Sequence, residues 1–63
     1  MRFLRLKEVM AVTALGRSSI YKFMNEERFP QSVSLGDRAV AWVESEIEEW
    51  MQERLSKRDE QQA

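Results

Sequence analysis

A chain of 63 residues with neither cysteine nor histidine has one way to hold itself together. Disulfides and the usual zinc-ligand sets are ruled out, so stability has to come from apolar side chains packed into one small core. Phe3, Phe23, Phe29, Trp42 and Trp50 are its largest pieces. The same two absences remove the usual general base and nucleophile, and no Gly-rich phosphate loop is present. We therefore expect no enzyme, no metal site and no cofactor. Ser18-Ser19 with Lys22 has the residue types of a Ser–Lys pair, but an exposed helix offers no oxyanion pocket. No run of about 18 apolar residues occurs, and the first residues lack the apolar segment of a signal peptide. The expectation is a soluble cytoplasmic protein with no membrane partner.

The formal charge of −1 argues at first against a polyanionic partner. Its distribution argues the other way. Residues 1–43 hold seven cations and four acids, a net of +3, whereas residues 44–63 hold three cations and seven acids, a net of −4. Attraction to phosphate acts over a Debye length of about 8–10 Å at cell-like salt, so the sign of the contacting face outweighs the total. Ordinary surface variation also produces such splits, and charge alone does not separate the two readings.

Met1 to Arg5 reads as an arm or a one-pair edge strand. Leu6, Val9 and Met10 fall at i, i+3 and i+4, which predicts a two-turn helix over 6–13 that persists only when packed. Ala14-Leu15-Gly16 is a tight connection, with Leu15 plugging the corner and Gly16 as the N-cap of a second helix. That helix has two unlike faces. Ile20, Phe23 and Met24 form a core stripe, while Arg17, Ser18, Tyr21, Lys22 and Asn25 gather opposite, with no acid before Glu26. Two cations, an amide and two hydroxyls can hydrogen-bond phosphates and base edges. Two short helices joined by a turn containing Gly make a helix-turn-helix, although many helical hairpins share that pattern. Pro30 biases Phe29 away from the helical region, so the second helix should finish near Glu27 or Arg28.

Beyond Pro30, Val33 and Leu35 alternate with serines as in a half-buried strand, and Gly36-Asp37 suits a two-residue type II′ turn. Ala39–Val43 returns as the partner, with Val40 and Trp42 on one face. Arg38 sits beside the turn, placed either for a phosphate or the minor groove, or simply as a solvated cation. Ser45-Glu46-Ile47-Glu48 reads as a capping box opening a third helix that runs to about Lys57 or Arg58. Ile47, Trp50, Met51 and Leu55 line its inner stripe, Glu53 and Lys57 make an i, i+4 pair, and Asp59–Ala63 is a polar, frayed tail. The carboxylates Glu44, Glu46, Glu48 and Glu49 are explained by capping and solvation better than by a metal or an acid pair. The fold expected is mainly α with a small β-hairpin: a winged helix-turn-helix of three helices and a two-stranded wing over 1–58.

Several runs, taken together, resemble the AlpA family of small phage and prophage regulators, related to excisionases and to MerR-type DNA-binding domains. They are Leu6-Lys7-Glu8-Val9, Thr13-Ala14-Leu15-Gly16-Arg17-Ser18-Ser19-Ile20-Tyr21-Lys22, Phe29-Pro30, Val33–Arg38 and Trp42-Val43-Glu44-Ser45-Glu46-Ile47-Glu48-Glu49-Trp50. The resemblance covers about residues 3–54. It implies a winged helix-turn-helix on promoter or attachment-site DNA, contacting it through Arg17, Ser18, Ser19, Tyr21 and Lys22 and through the wing Arg38. Gly16 departs from the serine-like cap usual in the family, a loss of a few tenths of a kcal/mol at the helix start.

The expectation for function is a sequence-specific transcriptional regulator bound to double-stranded DNA, its second helix in the major groove. A single module buries roughly 600–1,000 Å². Specificity then calls for a homodimer or cooperative copies on DNA, or for a recombinase or RNA polymerase partner. An excisionase-like factor that bends DNA for recombination would use the same surface. A protein-interaction module built on the acidic third helix is the alternative of another class.

Overall fold

The computed structural model describes residues 1–62, and side-chain environments for residues 1–60. Its elements run β1 (Phe3–Leu4), α1 (Leu6–Thr13), α2 (Arg17–Asn25), β2 (Val33–Gly36), β3 (Ala39–Val43) and α3 (Glu44–Gln62). Both short helices begin where the apolar spacing places them. Their ends are set by backbone chemistry. At the start of α1 the Arg5 N–H donates to Glu8 Oε1 at 3.0 Å. The helix closes at Ala14, which takes a left-handed φ of 63° and donates its N–H to Met10 O at 2.9 Å. Thr13 Oγ1 donates to Val9 O at 2.7 Å and accepts the Leu15 N–H at 3.3 Å, which fixes the corner into α2.

The second helix stops at Asn25, short of the end expected near Glu27 or Arg28. Glu27 has a φ of 58°, its N–H donates to Met24 O at 3.1 Å, and the Arg28 N–H donates to Phe23 O at 2.8 Å. This is a Schellman closure with a non-glycine residue at the left-handed position. The chain has therefore already left the helix before Pro30 restricts it.

Where a two-stranded wing was expected, the sheet has three antiparallel strands in the order β1-β3-β2. Phe3 pairs with Val43 and Leu4 with Trp42, so the amino-terminal segment is a strand on the far side of β3. On the other side Val33 pairs with Ala41, Ser34 with Val40 and Gly36 with Ala39, with an irregularity between Ser34 and Gly36. The turn residues are thus Asp37 and Arg38, one place later than the Gly36-Asp37 turn expected from sequence. Gly36 ends its strand at a φ of 124°, and Arg38 takes the left-handed φ of 59° that the second turn position demands. Strand β2 is exposed along its whole length, not half-buried, because it packs mainly on β3, whereas β1, the other edge strand, also packs on α1. Burial falls instead on the central strand, where Ala41 and Trp42 are fully enclosed.

The core gathers Leu4, Val9, Ile20, Phe29, Trp42 and Ile47, ringed by Leu6, Met10, Leu15, Phe23, Met24, Val40, Trp50 and Met51. Every element except β2 contributes. The Trp42 indole donates Nε1–H to Pro30 O at 3.1 Å, so the largest buried side chain also fixes the loop before β2.

The third helix follows β3 without a break. Helix α3 begins at Glu44, so Ser45 stands within its first turn and is not the N-cap expected of it. Glu44 N–H donates to Arg2 O at 2.8 Å, an orphan helix donor satisfied by the first strand's flank. The inner stripe packs through Met51; Leu55, expected to continue it, is 42% exposed because the core has ended. The helix runs on to Gln62, past the Lys57 or Arg58 end expected, and residues 59–62 are helical where a frayed tail was expected. Ala63, the last residue of that expected tail, lies outside the described residues. No ion pair joins Glu53 and Lys57 among the described residues. No described helix is long and apolar enough to cross a membrane.

Candidate nucleic-acid interface

Helix α2 is nine residues long, with its buried side anchored by Ile20 and its flanks by Phe23 and Met24. Burying those three turns Arg17, Ser18, Tyr21, Lys22 and Asn25 outward, and all five are exposed. Ser19 differs: it is half-buried at the margin of the core. Gly16 has an extended φ of −80° and ψ of 165°, and no side chain caps the first turn. No acid lies in that turn either, so the positive end of the helix dipole is not offset by the helix's own residues.

Charge on this face is unspent. Arg2 is engaged with Glu8 at 3.1 Å and Glu44 at 3.0 Å, and Arg28 pairs with Glu26 at 3.4 Å. Arg17, Lys22 and Arg38 make no ion pair among the described residues. Arg2 alone bridges separate elements, reaching α1 and α3, and it belongs neither to the α2 face nor to the hairpin turn.

Two of the sequence-predicted residues are brought into contact. The guanidinium carbon of Arg17 lies 5.9 Å from the centre of the Tyr21 ring. That ring meets Trp42 edge-on at 6.4 Å with an interplanar angle of 64°. Tyr21 is 36% exposed, so one side of it faces solvent while the other leans on β3. Sequence reasoning assigned Tyr21 a hydroxyl and missed this contact. The i, i+4 spacing of Arg17 and Tyr21 was the signal available for it. Arg38 stands apart, in the turn that precedes β3.

A surface groove of about 840 Å³ lies elsewhere, between α3 and the segment running from Glu27 to Val33, with Phe29, Pro30, Glu46, Glu49 and Trp50 among its walls. It includes none of the residues read as DNA-facing. No group of carboxylates among the described residues is arranged to hold a metal ion.

The family described as "Prophage CP4-57 regulatory protein (AlpA)" matches residues 2–55. The chain belongs to the AlpA family. A phage P4 protein described as "Uncharacterized protein ORF88" is 47% identical over 57 residues, covering 90% of this chain. This chain spans 65% of the length of that phage protein. The "DNA-binding transcriptional activator AlpA" of Escherichia coli strain K12 is 37% identical, with 84% of each chain covered. The family match takes in α1, α2, the sheet and the packed half of α3, and stops where α3 leaves the core.

Proposed function

We propose that the chain is a sequence-specific DNA-binding transcriptional regulator acting as a winged helix-turn-helix. In this reading α2 enters the major groove and the β2–β3 hairpin is the wing. Arg17 and Lys22 meet base edges or phosphates, Ser18, Ser19, Tyr21 and Asn25 add hydrogen bonds, and Arg38 reaches the adjoining backbone or minor groove. The single observation that carries the proposal is the outward face of α2, where Arg17, Ser18, Tyr21, Lys22 and Asn25 are all exposed and no acid lies in the first turn. Arg17 and Lys22 on that face, and Arg38 at the hairpin turn, make no ion pair among the described residues, as is also true of Arg5, Lys7, Arg54 and Lys57. Resemblance to an E. coli protein described as a DNA-binding transcriptional activator supports the same reading. The limited area of one module calls for two or more copies, or a DNA-bound partner, at a natural site.

Selection of bound sequences from a random DNA pool tests the class, and the spacing of recovered half-sites counts the copies. On a selected site, Arg17→Ala with Lys22→Ala should weaken specific binding severely and lower the log–log salt slope by about one for each of the two that contacts a phosphate. Full affinity in the double variant would overturn the assignment. The groove beside Trp50 is the feature that favours a protein partner instead. A partner bound there would be retained by the same double variant.

A further inference from the structure

We propose that the ring of Tyr21, more than its hydroxyl, is the working part of this residue: it holds the Arg17 guanidinium in one pose toward the duplex. The proposal deepens the reading above and rests on α2 facing DNA. Arginine has long rotamer freedom, and a base contact needs its planar fork aimed in one direction. Arg17 opens α2 and has no acid partner among the described residues, so no ion pair aims it. What lies against it is the Tyr21 ring, one helical turn on, at 5.9 Å.

That ring is itself braced. It meets Trp42 edge-on at 6.4 Å, and Trp42 is fully buried and fastened to Pro30 O at 3.1 Å. A line of contacts therefore runs from the loop carbonyl through the indole and the phenol ring to an exposed guanidinium. At a solvated surface a cation over a ring is held weakly, and the attraction strengthens when the pair is desolvated, as it would be against a groove. Lys22 has no such support among the described contacts. Its charge serves all sequences alike, while Arg17 discriminates among them. Tyr21 is thus a positioning residue acting through Arg17.

The test compares wild type with Tyr21→Phe and Tyr21→Leu, alone and in an Arg17→Ala background, on a selected DNA site and on random DNA, with melting curves for each variant. Tyr21→Phe should lose only what the hydroxyl's hydrogen bond contributes, about tenfold or less and alike on both DNAs, and Tyr21→Leu should lose about tenfold more than Tyr21→Phe on the specific site and less on random DNA. In the Arg17→Ala background the Phe and Leu variants should differ by less than about twofold, since the ring then has nothing to aim. Equal losses for Phe and Leu would overturn the proposal, as would a Phe–Leu gap that survives the removal of Arg17. Should the Leu variant fold poorly, proton NMR of the free wild-type chain still decides. The Arg17 δ-protons should be shifted upfield by the ring in wild type and Tyr21→Phe, and an unshifted wild type overturns the pose without any DNA. A chain that selects no sequence from the pool defeats the DNA reading and this use of the pose, while the ring shift reports separately on whether the pose exists.

Discussion

Trp50 donates its indole N–H to the carbonyl oxygen of Arg28 at 2.8 Å, tying the packed half of α3 to the segment that leaves α2. Phe29 meets the same indole edge-on at 4.9 Å, and Arg54 lies over its face at 5.0 Å. Trp50→Phe keeps a ring for Phe29 but removes the donor. We expect a loss of about 1–2 kcal/mol, made up of the hydrogen bond and part of the packed area. On a domain of this size that lowers the melting midpoint by roughly 5–15 °C, read by circular dichroism.

Ala14 and Glu27 both occupy left-handed backbone at the ends of α1 and α2, at φ values of 63° and 58°. Glycine suits both positions, and a side chain there is strained. Ala14→Gly and Glu27→Gly should each raise stability by about 0.5–1 kcal/mol, net of glycine's greater freedom in the unfolded chain. Urea midpoints would show it. A loss in either variant would mean that the helix end is not closed in this way.

Arg38 is strained in the same sense, at a φ of 59°, yet it is the cation carried by the turn. Arg38→Gly should leave the fold as stable or up to about 1 kcal/mol more stable. The same change should weaken DNA binding and lower the salt slope by about one. Arg38→Ala removes the charge and keeps the strain, so comparing the two variants separates hairpin geometry from electrostatics.

Shortening the chain to end at Lys57 removes residues whose described side chains are exposed and lie beyond the core. The expected cost is under about 0.5 kcal/mol. Ile47→Ala, which empties a fully buried site in the first half of the same helix, should cost about 2–5 kcal/mol. Denaturant unfolding of the two variants would show whether α3 is divided between a packed half and a projecting one.

What the sequence disclosed depended on the range of the forces involved. The spacing of Leu6, Val9 and Met10 and of Ile20, Phe23 and Met24 reports core faces directly, and α1 and the start of α2 fall where that spacing puts them. Ends and turns proved harder because backbone hydrogen bonds decide them. Nothing in the side chain of Glu27 announces a Schellman closure, and Arg38 is an unfavourable residue for the left-handed turn position it fills. Ser45 is not the cap because α3 has already begun at Glu44, whose N–H is satisfied by the distant carbonyl of Arg2. Local patterns do not contain that contact. Residues 59–62 are polar and were read as frayed, but Glu and Gln are good helix formers and α3 continues through them. At the candidate interface the exposed face of α2 was legible from periodicity. The leaning of Tyr21 on Trp42 was not, because it joins two elements across a loop.

The strand order carries a consequence for how the protein is made. Phe3 and Leu4 find their hydrogen-bonding partners only in Val43 and Trp42, residues that a ribosome adds near the end of the domain. At typical synthesis rates of roughly 5–20 residues per second, the segment carrying Phe3 and Leu4 waits some seconds for those partners. Docking of that segment cannot precede the synthesis of β3, and it satisfies backbone groups of both β3 and the first residue of α3.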